Sequence, residues 1–199
     1  MAVWFVRSNG DTLHNEPGST RFVPGERPVF PDKTFNYREE CLRDGFARVG
    51  WPATGDLRQP NWEERARSVY GSSWDTRYRK YLAQFATIRT GDVMVMPARA
   101  EVGAVHVGAV LLREPETTRI LSVRHGLPAY RYFYSPESGA RFENAHRVGV
   151  LWDAEETGAP GVHVVQGLGG PWRRFFTRLE ASSTELVLLA QSLGLSVSG

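Results

Sequence analysis

The chain has one cysteine, Cys41. An internal disulfide and a cysteine-based zinc site are therefore excluded, and a reducing compartment fits best. No apolar run approaches the ~20 residues that a membrane-spanning helix needs, so no membrane partner is expected. The opening MAVWFVRSNG lacks a charged segment followed by a long apolar one and does not read as a signal peptide. The expected location is the cytoplasm. Excess charge of one sign is missing too: 24 Lys and Arg against 22 Asp and Glu leave a net charge of +2. That balance permits an anionic partner without demanding one, and it is weaker than non-specific coating of nucleic acid requires. No GxSxG nucleophile elbow is present. The run Gly167 to Gly170 (GLGG) lacks the lysine of a phosphate loop and reads as a turn. His14, His106, His125, His146 and His163 are scattered without ligand-like pairing. No metal, cofactor or catalytic residue is assigned. His106 and His163 alternate with valines and read as ordinary strand residues, and Cys41 as a buried structural thiol.

What is present is an ordinary globular composition, 41% hydrophobic and 23% charged over 199 residues, the size of one large domain. Short apolar runs are frequent: Val3–Val6, Phe46–Val49, Asp92–Met96, Val105–Leu112, Tyr130–Tyr134, Arg147–Trp152 and Val162–Val165. Continuous apolar runs mean strands buried on both faces or the tight wall of a small barrel. Four helices are expected among them. Asn36 with Glu39 forms a capping-box variant closed by Gly45, and Asn61 with Glu64 repeats the device. Trp74–Ala86 places Tyr78, Tyr81, Leu82 and Phe85 at helical spacing. Ser182 with Glu185 opens a last helix that Gly194 closes. The fold class is α+β: a small, strongly bent β-barrel flanked by helices. One domain is expected over residues 1–199, with a long Gly/Pro-rich loop insertion at 10–36 and a C-terminal helical decoration at 172–199 that packs on the barrel's side.

Basic residues interleaved with aromatic ones form the best functional signal. Arg77, Arg79 and Lys80 lie opposite the aromatic stripe of their helix, and Arg173 and Arg174 precede Phe175 and Phe176. Aromatic rings stack on bases while Arg and Lys meet phosphates; the plainer reading is a solvated basic face. The first strand ends in Arg7-Ser8-Asn9-Gly10, where Asn can read a base edge or simply make a turn. FARVGWPATGDLR sets Trp51 at a strand end, as a core plug or as a stacking surface.

The order of four motifs resembles the PUA-like superfamily, most of all its EVE and YTH branch. The motifs are Arg7-Ser8-Asn9, Arg89-Thr90-Gly91-Asp92, Val107-Gly108-Ala109-Val110 and Arg147-Val148-Gly149-Val150-Leu151-Trp152. FARVGW followed by GDLR is also similar to the N-terminal reader domains of modification-dependent restriction endonucleases. The likeness spans roughly residues 3 to 152. The EVE Arg-Asn-Tyr helix motif is replaced here by Arg79-Lys80-Tyr81, and the insertion after Asn9 is longer than in that branch.

The resemblance implies a reader without catalysis. It would hold a flipped modified base (methylated or hydroxymethylated cytosine, or methyladenine) in an aromatic pocket, in restriction or anti-phage defence. DNA is the expected partner before RNA, with a nuclease supplied by another protein. The residues assigned to the base and its strand are Arg7, Ser8, Asn9, Trp51, Trp74, Arg77, Lys80 and Tyr132. One alternative is an ASCH-like enzyme acting on a modified nucleoside, with Arg89, Thr90 and Glu101 as its candidate trio. The other is a protein-interaction scaffold using the last helix and the RRFF segment.

Overall fold

A computed structural model describes residues 1–7, 14–15, 34–35, 37–51, 54–71, 76–98, 102–110, 130–132, 146–166, 168, 176–179 and 183–195. In chain order the elements are β1 (Val3–Val6), β2 (His14–Asn15), β3 (Thr34–Phe35), α1 (Tyr37–Asp44), β4 (Phe46–Val49), α2 (Trp62–Tyr70) and α3 (Thr76–Phe85). There follow β5 (Val93–Pro97), β6 (Ala104–Val110), β7 (Arg131–Tyr132), β8 (His146–Trp152), β9 (His163–Val164), β10 (Phe176–Leu179) and α4 (Ser183–Ser192).

The main sheet runs β10-β1-β5-β6-β8-β4, with β7 beside β8 and β9 beside β6. Among the described strands, only β1 and β5 pair in parallel; their neighbours are antiparallel. The edge strands β10 and β4 do not pair with one another. Yet Phe176 of β10 and Phe46 of β4 belong to one buried cluster. A sheet whose opposite edges share a core must curl around it, which makes an open, mixed half-barrel, with four helices among the described residues.

The apolar runs resolve in favour of strands buried on both faces. Trp4, Val6, Met94, Met96, Val148 and Val150 line the inside, with Leu82 and Phe85 of α3. The alternate residues Val3, Phe5, Val93, Val95, Val105 and Val107 line the outside, where Leu186 and Ala190 of α4 cover them. Period-two alternation with both faces apolar leaves no polar positions to betray the pattern. The C-terminal helix thus packs on the sheet as expected, closed by Gly194 at φ 74. No helix among the described residues is long and apolar enough to cross a membrane.

Two local devices fix the strand order. Asp92, 5% exposed, receives three N–H groups: Ala2 N on Oδ1 at 2.8 Å, and Trp4 Nε1 at 2.8 Å and Arg89 N at 3.0 Å on Oδ2. A buried carboxylate is tolerated when donors surround it, and these tie β1 to the turn that starts β5. At Gly108 a Cβ would lie 2.5 Å from Val150 Cγ1 and 2.7 Å from the Leu151 carbonyl. The glycine lets β6 and β8 close against each other. The Trp152 indole then donates to the Cys41 carbonyl at 2.9 Å, seating α1 and its buried thiol.

Three expectations change. The 172–199 stretch is not wholly helical, because Phe176–Leu179 is an edge strand paired with β1; four residues following a PWRRF segment carry too short an alternation to read. Asn61 does not cap α2 with its side chain; its Oδ1 instead accepts from Arg65 Nη1 at 2.8 Å. The 10–36 insertion contains a two-stranded pairing of His14 with Phe35 and Asn15 with Thr34. Asn36 and Ser182 lie outside the described residues.

Gly108→Ala is expected to destabilise the fold by ~1–3 kcal/mol, the usual range for overpacking, seen as a lower urea midpoint. Asp92→Asn keeps one acceptor oxygen but turns an NH2 toward an N–H donor. It should cost about 2 kcal/mol; an unchanged midpoint would show that the knot is not stabilising.

Candidate functional site

Trp51 follows β4 with φ at 64, and it is the one non-glycine residue among those described with positive φ. A bulky side chain in the left-handed region costs on the order of 1–3 kcal/mol and persists only where its surroundings hold it. Here the holders converge on its carbonyl. Thr54 N lies at 3.2 Å, Thr54 Oγ1 at 2.9 Å and His146 Nε2 at 3.3 Å. The indole is half-buried, with part of it packed on the inner core.

His146, fully buried, opens β8 and pairs with Val49 on one side and Tyr132 on the other. Its Nε2 meets Thr54 Oγ1 at 3.0 Å, and its Nδ1 meets the Tyr130 hydroxyl at 2.9 Å. The Tyr130 oxygen also accepts the Leu57 N–H at 3.0 Å. One proton order satisfies the whole set. Leu57 N–H donates to Tyr130, whose O–H donates to Nδ1; Nε2–H donates to Thr54 and toward Trp51, and the Thr54 hydroxyl donates to the Trp51 carbonyl. The reverse order leaves the Tyr130 O–H without an acceptor in this set. Both ends of the relay fall on one loop, at Trp51 and at Leu57.

Burial sets the charges. It pushes the His146 imidazole down to about 4, partly opposed by the Trp51 carbonyl and the Asp56 carboxylate. It pushes the Tyr130 phenol upward. Both groups are neutral near pH 7, so the relay is uncharged.

The rest of the loop is braced from outside. Arg65 donates to the Thr54 carbonyl at 3.0 Å and to the Asp56 carbonyl at 3.3 Å. Gly55, φ 65, leaves space for that guanidinium, which a Cβ would meet at 2.9 Å. Arg58 pairs with Asp56 at 2.6 Å and lies 5.1 Å over the Tyr130 ring. Its side chain is 59% exposed, so the pair itself adds little stability, but it sets a cation beside the aromatic group.

The sequence-assigned residues fall unevenly. Trp51 and Tyr132 both touch His146, the first by its backbone carbonyl and the second by its ring, which is half-buried and 5.4 Å from the imidazole. Arg7 is exposed just beyond β1 and Lys80 is exposed on α3; neither enters the relay. Arg79 on the same helix pairs with Glu63 at 2.8 Å, clamping α3 to α2. Arg77 occupies α3, its side chain outside the described residues, and Ser8, Asn9 and Trp74 lie outside them altogether. Phe176 is buried in the core, so it cannot stack on a base or serve as a docking ring; Arg173, Arg174 and Phe175 are outside the described residues. Of the enzymatic trio, Arg89 belongs to the Asp92 knot, and Glu101 is outside the described residues. His106 and His163 are strand residues bonded to the Gly161 carbonyl and to Asp153, each at 2.8 Å.

The sequence reading missed Thr54, Tyr130 and His146. A signal existed for one. His146 continues the even-numbered series of Val148, Val150 and Trp152, all turned inward, and a histidine in such a series needs buried partners.

Stability should fall in acid through His146. In the unfolded chain its imidazole takes a proton near pH 6.5, whereas in the fold it resists until about pH 4. The unfolded state therefore binds the proton first. The contribution is complete above the unfolded value and is lost between these limits, on the order of 3 kcal/mol in all. Urea midpoints at about pH 7.5 and about pH 4.5 should fall less in His146→Gln than in the parent. His106, also lowered by burial, is common to both proteins and cancels. Equal declines would assign the effect elsewhere.

No protein-family model, curated protein or solved structure matches this chain.

Proposed function

We propose that the protein is a nucleic-acid-binding module that stacks a flipped, modified base on Trp51, with Tyr132 beside it. The carrying observation is Trp51 itself. A half-exposed indole is held in a strained backbone conformation by three donors on its carbonyl, and such strain concentrates at functional sites. The exposed cation of Arg58 beside Tyr130 supplies charge for a phosphate. The resemblance to EVE and YTH readers supports the same reading and adds its finer content: methylated or hydroxymethylated cytosine or methyladenine, DNA before RNA, and a separate nuclease.

The magnitudes limit what the ring can do. Flipping a base costs a few kcal/mol, and stacking on one aromatic ring returns ~1–3 kcal/mol. A single indole offsets the flip without exceeding it. A methyl group in an apolar slot adds only about 0.8 kcal/mol, so Tyr132 and a closed wall are needed for discrimination. Unpaired or mismatched bases, which cost least to extrude, should bind best.

The test is a panel of short oligonucleotides, single- and double-stranded, carrying 5-methylcytosine, 5-hydroxymethylcytosine or N6-methyladenine, at a fixed salt concentration. The parent should prefer one modified oligonucleotide over its plain counterpart. Trp51→Ala should weaken that binding about 5- to 150-fold, the loss of one stack, with folding retained; Asn9→Ala should weaken it as well. Parent-like binding by Trp51→Ala would sink the stacking assignment. Equal affinity for plain and modified strands would remove the reader function.

A further inference from the structure

Two residues of the loop after β4, Trp51 and Leu57, are joined through the interior by hydrogen bonds to Tyr130, His146 and Thr54, more than a turn between two elements requires. The Leu57 N–H enters at Tyr130, and the relay leaves through Thr54 and His146 at the Trp51 carbonyl. We propose that His146 is a positioning residue for the Trp51 indole: its Nε2–H holds that residue in the left-handed conformation that turns the ring outward, and a proton on Nδ1 releases it. The inference rests on the stacking function proposed above and adds its regulation.

The geometry gives the mechanism. Nδ1 is an acceptor because Tyr130 must donate to it. Once Nδ1 carries a proton, two N–H groups point at the Tyr130 oxygen and its own hydrogen loses its acceptor in a buried place. Such a loss is resolved by moving a partner, and the strained partner is Trp51, which relaxes toward negative φ and swings its ring.

The groups facing the imidazole set how readily this occurs. Tyr130 stacks on it at 6.1 Å and Tyr132 tilts against it. The Asp56 carboxylate favours the protonated form, but Arg58 pairs with that carboxylate. Arg147 follows His146 on β8, lies over the Phe46 ring at 4.6 Å and pairs in register with Arg48 of β4, so both belong to the face opposite the imidazole. Burial opposes a proton more than the Trp51 carbonyl and Asp56 favour it, so the release belongs to acid conditions.

The experiment places 5-fluorotryptophan in the protein and follows the Trp51 fluorine resonance, identified by its loss in Trp51→Phe. In the parent the resonance should move as acid is added, with a midpoint near pH 4. In His146→Leu it should already be displaced at neutral pH and stay there. In His146→Gln, whose amide N–H still reaches Thr54 and Trp51, it should lie nearer the parent's and ignore acid. A His146→Gln resonance that tracks the parent's through the titration overturns the proposal, and this holds even if His146→Leu does not fold. A folded His146→Leu with the parent's resonance overturns it too. At neutral pH, a folded His146→Leu should bind the preferred modified oligonucleotide about tenfold more weakly than the parent, and His146→Gln should bind nearer the parent's affinity; if the resonances behave as expected and no oligonucleotide binds the parent, positioning stands and the nucleic-acid function falls.

Discussion

The two edges of the main sheet share no hydrogen bonds, so the curl must be held by side chains crossing its open side. They are aromatic. Trp4 stacks on Phe176 at 5.3 Å, Phe176 meets Phe85 edge-on at 5.3 Å, and Phe85 meets Tyr130 at 6.3 Å. Tyr130 then stacks on His146. This line of rings runs from β1 and β10 through α3 to β7 and β8. Each such pair contributes roughly 0.5–1.5 kcal/mol beyond its burial, and their geometry fixes how far the sheet closes. The site depends on it. By ladder register alone, Val6 pairs with Phe176 at one end of the sheet, while β8 runs beyond Val150 to set His146 against Val49 at the other. The curl carries the Phe176 end back to Tyr130.

A buried polar cluster beside that aromatic line is tolerated because it is complete. A neutral imidazole, a phenol and a hydroxyl, with one amide N–H and one carbonyl at the ends, admit a proton order in which every member is satisfied. Networks of this kind are stiff when whole and costly when broken. That stiffness distinguishes Trp51 from an exposed tryptophan on a mobile turn: the strain in its backbone is opposed from within by His146 and Thr54 and braced from without by Arg65.

The sheet was legible because its strands follow a simple rule. VWFV, DVMVM, VHVGAV and RVGVLW are apolar at successive positions, and both faces turned out to be covered. The RTGD turn and Gly108 were legible as motifs, though their physical roles, a carboxylate surrounded by three donors and a closest approach of two strands, emerge only in three dimensions. FTRL escaped because a four-residue edge strand with Phe176, Thr177 and Leu179 buried shows too short an alternation to read. Thr54, Tyr130 and His146 escaped for a different reason. They are separated by 92 and 16 residues along the chain, and their meeting is a product of the curl. Local patterning can mark His146 as inward-facing, but it cannot supply the partners.

Trp51 was read as either a core plug or a stacking surface, and the packing shows why that choice is too sharp. Part of the indole rests on the inner cluster beside β4, and the remainder is accessible. A ring wholly in the core would have nothing to offer a ligand, and one wholly in solvent would lose entropy on stacking. Seating part of the ring meets that ordering cost during folding. The fraction left exposed can then contribute nearly its full stacking energy to whatever meets it.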